Sequence, residues 1–166
     1  MTRFYLITLI LLFTGMSPVY AQASATANFT ASATIIQPIG ITTTSNMQFA
    51  NIDAQNGGAV ILTPENTRIT TGELILADGG NVSAATFEVT GQSGFAFGIS
   101  LPRGTHRLSS GSESMILQDF TTNYDGSSIN GDGRTIRIGA SLIVNPNQQP
   151  GDYKTTGDLQ VTVNYN

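Results

Sequence analysis

From Ala23 to Ile35 every odd position is apolar and every even position is Ser, Thr or Asn. An extended chain points successive side chains to opposite faces, whereas a helix brings them back every 3.6 residues. Such a run can bury one face only as a strand. The same alternation returns in Ala85, Phe87 and Val89, and in Phe95, Phe97, Ile99 and Leu101. It returns again in Ile136, Ile138, Ala140, Leu142 and Val144, opposed by Arg137, Gly139, Ser141, Ile143 and Asn145, and in Leu159, Val161, Val163 and Tyr165. Further strands are expected near Thr34–Thr42, Met47–Ile52, Ala59–Leu62, Gly72–Leu76 and Ser114–Thr121. Turn residues separate these runs at Asn56-Gly57-Gly58, Asp78-Gly79-Gly80-Asn81, Gly91 to Gly94, Asp125 to Gly133 and Asn145 to Gly151. Short alternating strands between Gly, Asn, Asp and Pro clusters, with no helical period, predict an all-β, antiparallel sandwich. Phe87, Phe97, Ile99, Ile138, Leu142, Val161 and Val163 are expected to point inward.

The N-terminus bears on the compartment. Met1 to Arg3 is a short basic start, and Phe4 to Met16 is an apolar run too short to span a bilayer. Gly15 and Pro18 break it, and Val19-Tyr20-Ala21 suits a signal peptidase. The reading is a signal peptide over residues 1–21, with Ala23 as a second cleavage point and an uncleaved anchor as the alternative. Residues 22–166 then form one domain, exported to the periplasm, cell surface or medium. A chain of that size builds a core without staples, in keeping with the absence of cysteine.

Charge narrows the partners. The 166 residues hold 7 Lys and Arg against 11 Asp and Glu, a net charge of −4. So few cations make no basic face for nucleic acid or anionic lipid. No later stretch of the mature chain is apolar enough to cross a membrane as a helix.

Candidate chemistry is sparse. His106 is the only histidine and would have to be the base of any hydrolytic triad. Ser109, Ser110, Ser112 and Ser114 lie near it in sequence without a nucleophile-elbow pattern. The adopted reading is a solvated polar residue between strands, and no catalytic residue and no cofactor are expected. Asp125, Asn130 and Asp132 bring oxygen ligands into one Gly-rich loop, a weak calcium candidate. Turn chemistry selects the same residues and is preferred. Gly91-Gln92-Ser93-Gly94 lacks the lysine and helix of a phosphate-binding loop.

Several stretches, in order along nearly the whole mature chain, resemble a bacterial secreted family known as domain of unknown function 4402. They are Ile35-Ile36-Gln37-Pro38-Ile39-Gly40-Ile41, Met47-Gln48-Phe49, Arg68 with Thr71-Gly72, Ser83 to Gly91 and Ile99-Ser100-Leu101-Pro102. Ile138 to Leu142, Gly151-Asp152-Tyr153 and Val161 to Tyr165 complete the set. Ala50 and Ala140 stand where that family resemblance implies glycine. The ending with Gly151, Tyr153, Leu159, Val161, Val163 and Tyr165 is also similar, more distantly, to chaperone–usher pilin subunits of the spore-coat-like kind. That similarity implies an immunoglobulin-like sandwich lacking its last strand, which a neighbour's extended N-terminus completes. It departs from those subunits in having no disulfide, and in offering alanines where a donor strand carries bulkier anchors.

The resulting expectation is a fimbria-like structural or adhesive surface subunit, its partners being like subunits and a periplasmic chaperone and usher. Ala25, Ala27, Phe29, Ala31, Val161, Val163 and Tyr165 are its candidate assembly interface. Residues 22–33 are either a donated strand or the first strand of the domain itself, since alternation alone does not separate the two. The alternatives are a monomeric secreted binding module of the same sandwich type and a small outer-membrane β-barrel.

Overall fold

The computed structural model describes residues 22–131, 133–157 and 159–166, so the expected signal peptide lies outside the described residues. The chain divides into two units, residues 1–34 and 35–166.

In the first unit, residues 22–34 carry no strand and are exposed throughout. They enter no β-ladder among the described residues.

The second unit is all-β and antiparallel, as expected. Its strands are β1 (Gly40–Ser45), β2 (Gln48–Phe49), β3 (Ile52–Asp53), β4 (Gly58–Leu62), β5 (Arg68–Gly72), β6 (Ile75–Leu76) and β7 (Val82–Ser83). After these come β8 (Ala85–Thr90), β9 (Phe97–Ser100), β10 (His106–Ser110), β11 (Glu113–Thr122), β12 (Arg134–Val144), β13 (Lys154–Thr155) and β14 (Thr162–Tyr165). The main sheet runs β1-β8-β12-β11-β10-β13, with β4 also on β12 and β5 outside β4. Three small ladders, β14-β9, β2-β7 and β3-β6, complete the described pairings.

The long strand β12 organises the interior. One edge pairs with β8 over Arg134 to Ile138 and then with β4 over Ala140 to Val144. The handover falls at Gly139, where a Cβ would overlap the Leu62 carbonyl oxygen and the Thr63 carbonyl carbon. Its even positions project into the core: Ile136 joins Val89, Phe97, Ile129 and Val163, while Ala140, Leu142 and Val144 join Val60, Leu108, Met115 and Leu117. Gly139 and Ser141, expected on the wet face, are buried as well. The reason is the neighbour on each side: β11 and β4 both flank this half of the strand.

Several strand limits differ from expectation. The strand expected over Thr34–Thr42 begins only at Gly40, after Pro38, which has no N–H for a ladder. The run Met47–Ile52 is cut into β2 and β3 by Ala50, whose φ of 57° is left-handed. Arg68 holds this kink, its Nη1 donating to the carbonyls of Phe49 (2.8 Å) and Asn51 (3.1 Å) on either side. This accounts for both the glycine implied at position 50 and the Arg68 of the resemblance. A left-handed backbone costs an ordinary residue about 1–2 kcal/mol. Ala50→Gly is therefore expected to stabilise the domain by about 1 kcal/mol, read as a raised midpoint in urea unfolding with an unchanged slope. Gly72–Leu76 likewise divides between β5 and β6, and β11 carries a bulge between Gln118 and Thr121, where Asp119 has φ 51°.

Candidate functional site

β1 is hydrogen-bonded along one edge only, to β8. Beyond its other edge lies residue stretch 159–162, leading into β14, which pairs with β9. Among the described residues no ladder joins β1 to β14. β1 and β14 nonetheless approach each other, and a groove lies between β1 and the stretch that leads into β14. Ile41, Thr43, Phe87, Leu159, Gln160, Val161 and Thr162 line a cavity of about 280 Å³. It continues, through shared walls at Thr43, Phe87, Leu159 and Val161, into one of about 130 Å³ floored by Met47, Phe120 and Ile138.

The floor follows from register. Thr43 lies opposite Phe87, which lies opposite Ile136 across the next ladder, so these side chains share one face. Ile136 is fully covered, yet Phe87 and Val161, both expected inward, are only half-buried. Phe87 packs against the cluster of Val89, Phe97, Ile129, Ile136 and Val163 and also lines the groove, as does Val161. None of the lining residues is ionisable. Nor is any residue from Gln22 to Ile52.

Of the expected interface residues, Ala25, Ala27, Phe29 and Ala31 sit in the exposed N-terminal run, with Phe29 91% exposed. Val161 lines the groove. Val163 does not: it is buried at 8% exposure among Val89, Phe97, Ile129 and Ile136. Tyr165 packs its ring edge-on to Phe95 at 5.7 Å, and its hydroxyl is a fastening. The hydroxyl accepts from the Gln92 N–H (2.6 Å) and donates to the Gln37 carbonyl (2.8 Å). The Gln37 N–H in turn donates to Gln92 Oε1 (3.2 Å). Gly91 makes room for this, since a Cβ there would overlap the Tyr165 hydroxyl.

Ile41, Thr43, Met47 and Phe120 were not anticipated as site residues. Ile41 fell inside an expected strand, but nothing local marks that strand as unpaired on one edge.

The polar candidates are placed otherwise. His106 lies in β10 opposite Leu117, not in a solvated connection. Its ring stands edge-on to Phe120 at 5.5 Å, and Nε2 is buried without a hydrogen-bond partner. The strand escaped notice because His106–Ser110 has only one large apolar residue, Leu108. Ser114 Oγ accepts from Arg107, not from the histidine. Asp125 closes its turn through the Ser127 hydroxyl (2.5 Å) and N–H (3.0 Å) and pairs with Arg134 at 2.7 Å. The Ser127 hydrogen bonds, with Arg134 adding, hold its carboxyl below the usual value. Asn130 bridges to Gly133, and Asp132 lies outside the described residues. Among the described residues no three His, Cys, Asp or Glu side chains gather to hold a metal ion, and no helix is long and apolar enough to cross a membrane.

Fold and groove together define an antiparallel all-β domain with a groove beside the unladdered edge of its first strand. The chain belongs to the family described as domain of unknown function DUF4402, which it matches over residues 39–165. No curated protein and no solved structure matches it.

Proposed function

We propose that this chain is an exported, fimbria-like structural or adhesive surface subunit that assembles by β-strand addition. The carrying observation is that residues 22–39 are free of any ladder while the run from Ala23 to Ile35 has the alternation of a strand. The unladdered edge of β1 offers what such a strand lacks, main-chain partners along an edge and an uncharged groove beside it. An exposed edge of this kind is an assembly template unless it is covered. A periplasmic chaperone is the natural temporary occupant and an usher the natural assembly platform. The main sheet is an open path from β1 to β13, which favours this reading over a closed barrel.

The test is the state of residues 22–166 expressed with export. An unheated gel is expected to show a ladder of oligomers that collapses to one band on boiling. A single monomeric species at every concentration, with no higher band in the surface fraction, would reject the reading and leave a monomeric secreted domain.

A further inference from the structure

We infer that the outer edge of β5 is a contact between two copies of this chain, which pair their β5 strands antiparallel about a two-fold axis through Ile69. The contact is separate from the edge of β1 and uses no part of the N-terminal run.

The free edge follows from the phase of one ladder. Beside β4, the Thr63 N–H donates to the Thr67 carbonyl (2.9 Å) and the Glu73 N–H to the Gly57 carbonyl (3.0 Å). Both pairs continue the register that sets Ile61 opposite Ile69 and Ala59 opposite Thr71. Hydrogen-bonded and non-hydrogen-bonded pairs alternate in an antiparallel ladder, so the odd residues of β5 direct their main-chain groups at β4. The N–H and C=O of Arg68 and Thr70 point the other way, where no strand pairs with β5 among the described residues.

This edge lacks the usual guards against pairing. Natural edges carry lysine, proline or a bulge, or are very short. At the far end of the sheet, β13 is 2 residues long and carries Lys154. β5 is 5 residues long, holds no lysine or proline, and runs beside β4 without a register shift. Its one charge, Arg68, is engaged within the chain by the Phe49 and Asn51 carbonyls. Ile69 stands 51% exposed, on the same face as Ile61.

The extended window sets the partner and the register. Asn66 (φ 65°) and Gly72 (φ 84°) are left-handed, which leaves residues 67–71 between them, with Ile69 at the centre. A second copy laid antiparallel along this edge overlaps the whole window only with Ile69 opposite Ile69. Arg68 of each copy then exchanges both bonds with Thr70 of the other. Ile69 meets its mate in the close, non-hydrogen-bonded kind of pair, with Cα atoms about 4.5 Å apart, and two β-branched side chains so placed stabilise a ladder. Sliding the pairing by one in-phase step sets Arg68 opposite Arg68 in one direction and opposite the left-handed Gly72 in the other. The edge is therefore self-complementary, as an isologous contact between like subunits requires.

The chain has no cysteine, so one introduced thiol reports one contact. Cα atoms about 4.4–6.8 Å apart accept a disulfide, which admits Ile69→Cys. Thr71→Cys is the control, because Thr71 stands opposite Thr67 of the other copy and away from its own mate. On a boiled, non-reducing gel, where a strand-donated ladder has collapsed, Ile69→Cys is expected to run mainly as a dimer and Thr71→Cys as a monomer. Adding Thr70→Pro to Ile69→Cys removes an outward N–H and no bond to β4, and should cut the dimer band at least about tenfold. Should the proline unfold the chain, the contrast between positions 69 and 71 decides by itself. No dimer at position 69, or equal dimer at both positions, overturns the inference and leaves the strand-donation reading standing. A folded Thr70→Pro chain that cross-links as well as its parent overturns it too. A wild type without a ladder whose Ile69→Cys chain still cross-links rejects strand donation and supports this contact alone.

Discussion

Phe29→Asp is expected to abolish assembly while leaving the melting temperature of the subunit unchanged. Phe29 is the only large side chain on the alternating face of the N-terminal run before Ile35. The groove beside β1 offers spaces of about 280 and 130 Å³, the smaller one floored by the apolar Met47, Phe120 and Ile138. Burying a phenylalanine side chain is worth about 1.5–3 kcal/mol. Its loss alone weakens each joint roughly tenfold to more than a hundredfold. The aspartate adds a carboxylate with no cation to meet it, since the groove lining holds no ionisable residue, and such a charge is strongly disfavoured in an apolar site. In the single chain the position is 91% exposed, where substitutions usually act within about 0.5 kcal/mol. Gel ladders and thermal melts on the same preparations separate the two quantities. A subunit that loses several degrees while its assembly is untouched would place Phe29 inside its own domain and defeat the donor reading.

Gly139→Ala is expected to be a severely damaging single methyl. The added Cβ would overlap the carbonyl oxygen of Leu62, which is backbone and has no rotamer to change. The clash falls where β12 passes from β8 to β4, so relief would open one ladder or the other. Overpacking of a close-packed interior costs about 1–3 kcal/mol, and more when the backbone must move. About 3 kcal/mol is expected here, lowering the melting temperature of a domain this size by roughly 6–12 °C. Differential scanning calorimetry checks it, with Ala140→Gly as a neighbouring control that relieves no clash. A shift under 2 °C, taken as about 0.5–1 kcal/mol, would show that β12 does not hand over at this glycine.

The sheet-forming content was legible because alternation is a local property. Ile136 to Val144 declares an inward face in its own letters, and Ile136, Ile138, Ala140, Leu142 and Val144 are all buried. The strand β10 was not legible, because His106–Ser110 has only Leu108 to mark a face. Its place comes from a ladder with β11 that joins His106 to Leu117. The break at Ala50 was hidden for a related reason. Alanine is silent about φ, and the kink is set by Arg68 reaching back to two carbonyls.

The candidate site divides along the same line. Composition and period mark the run from Ala23 to Ile35 with a strand's alternation, charge-free and with Phe29 as its one ring. Sequence alone left open whether that strand belonged to its own sheet, because an internal strand and a donated one have the same period. Which edges are laddered follows only from the tertiary structure: β1 has a ladder on one side, β14 has its ladder with β9, and Phe87 and Val161, half-buried, line the groove beside β1. A hydrogen-bonding edge becomes free or filled only when strands distant in the chain have taken their neighbours, and no window of sequence contains that information.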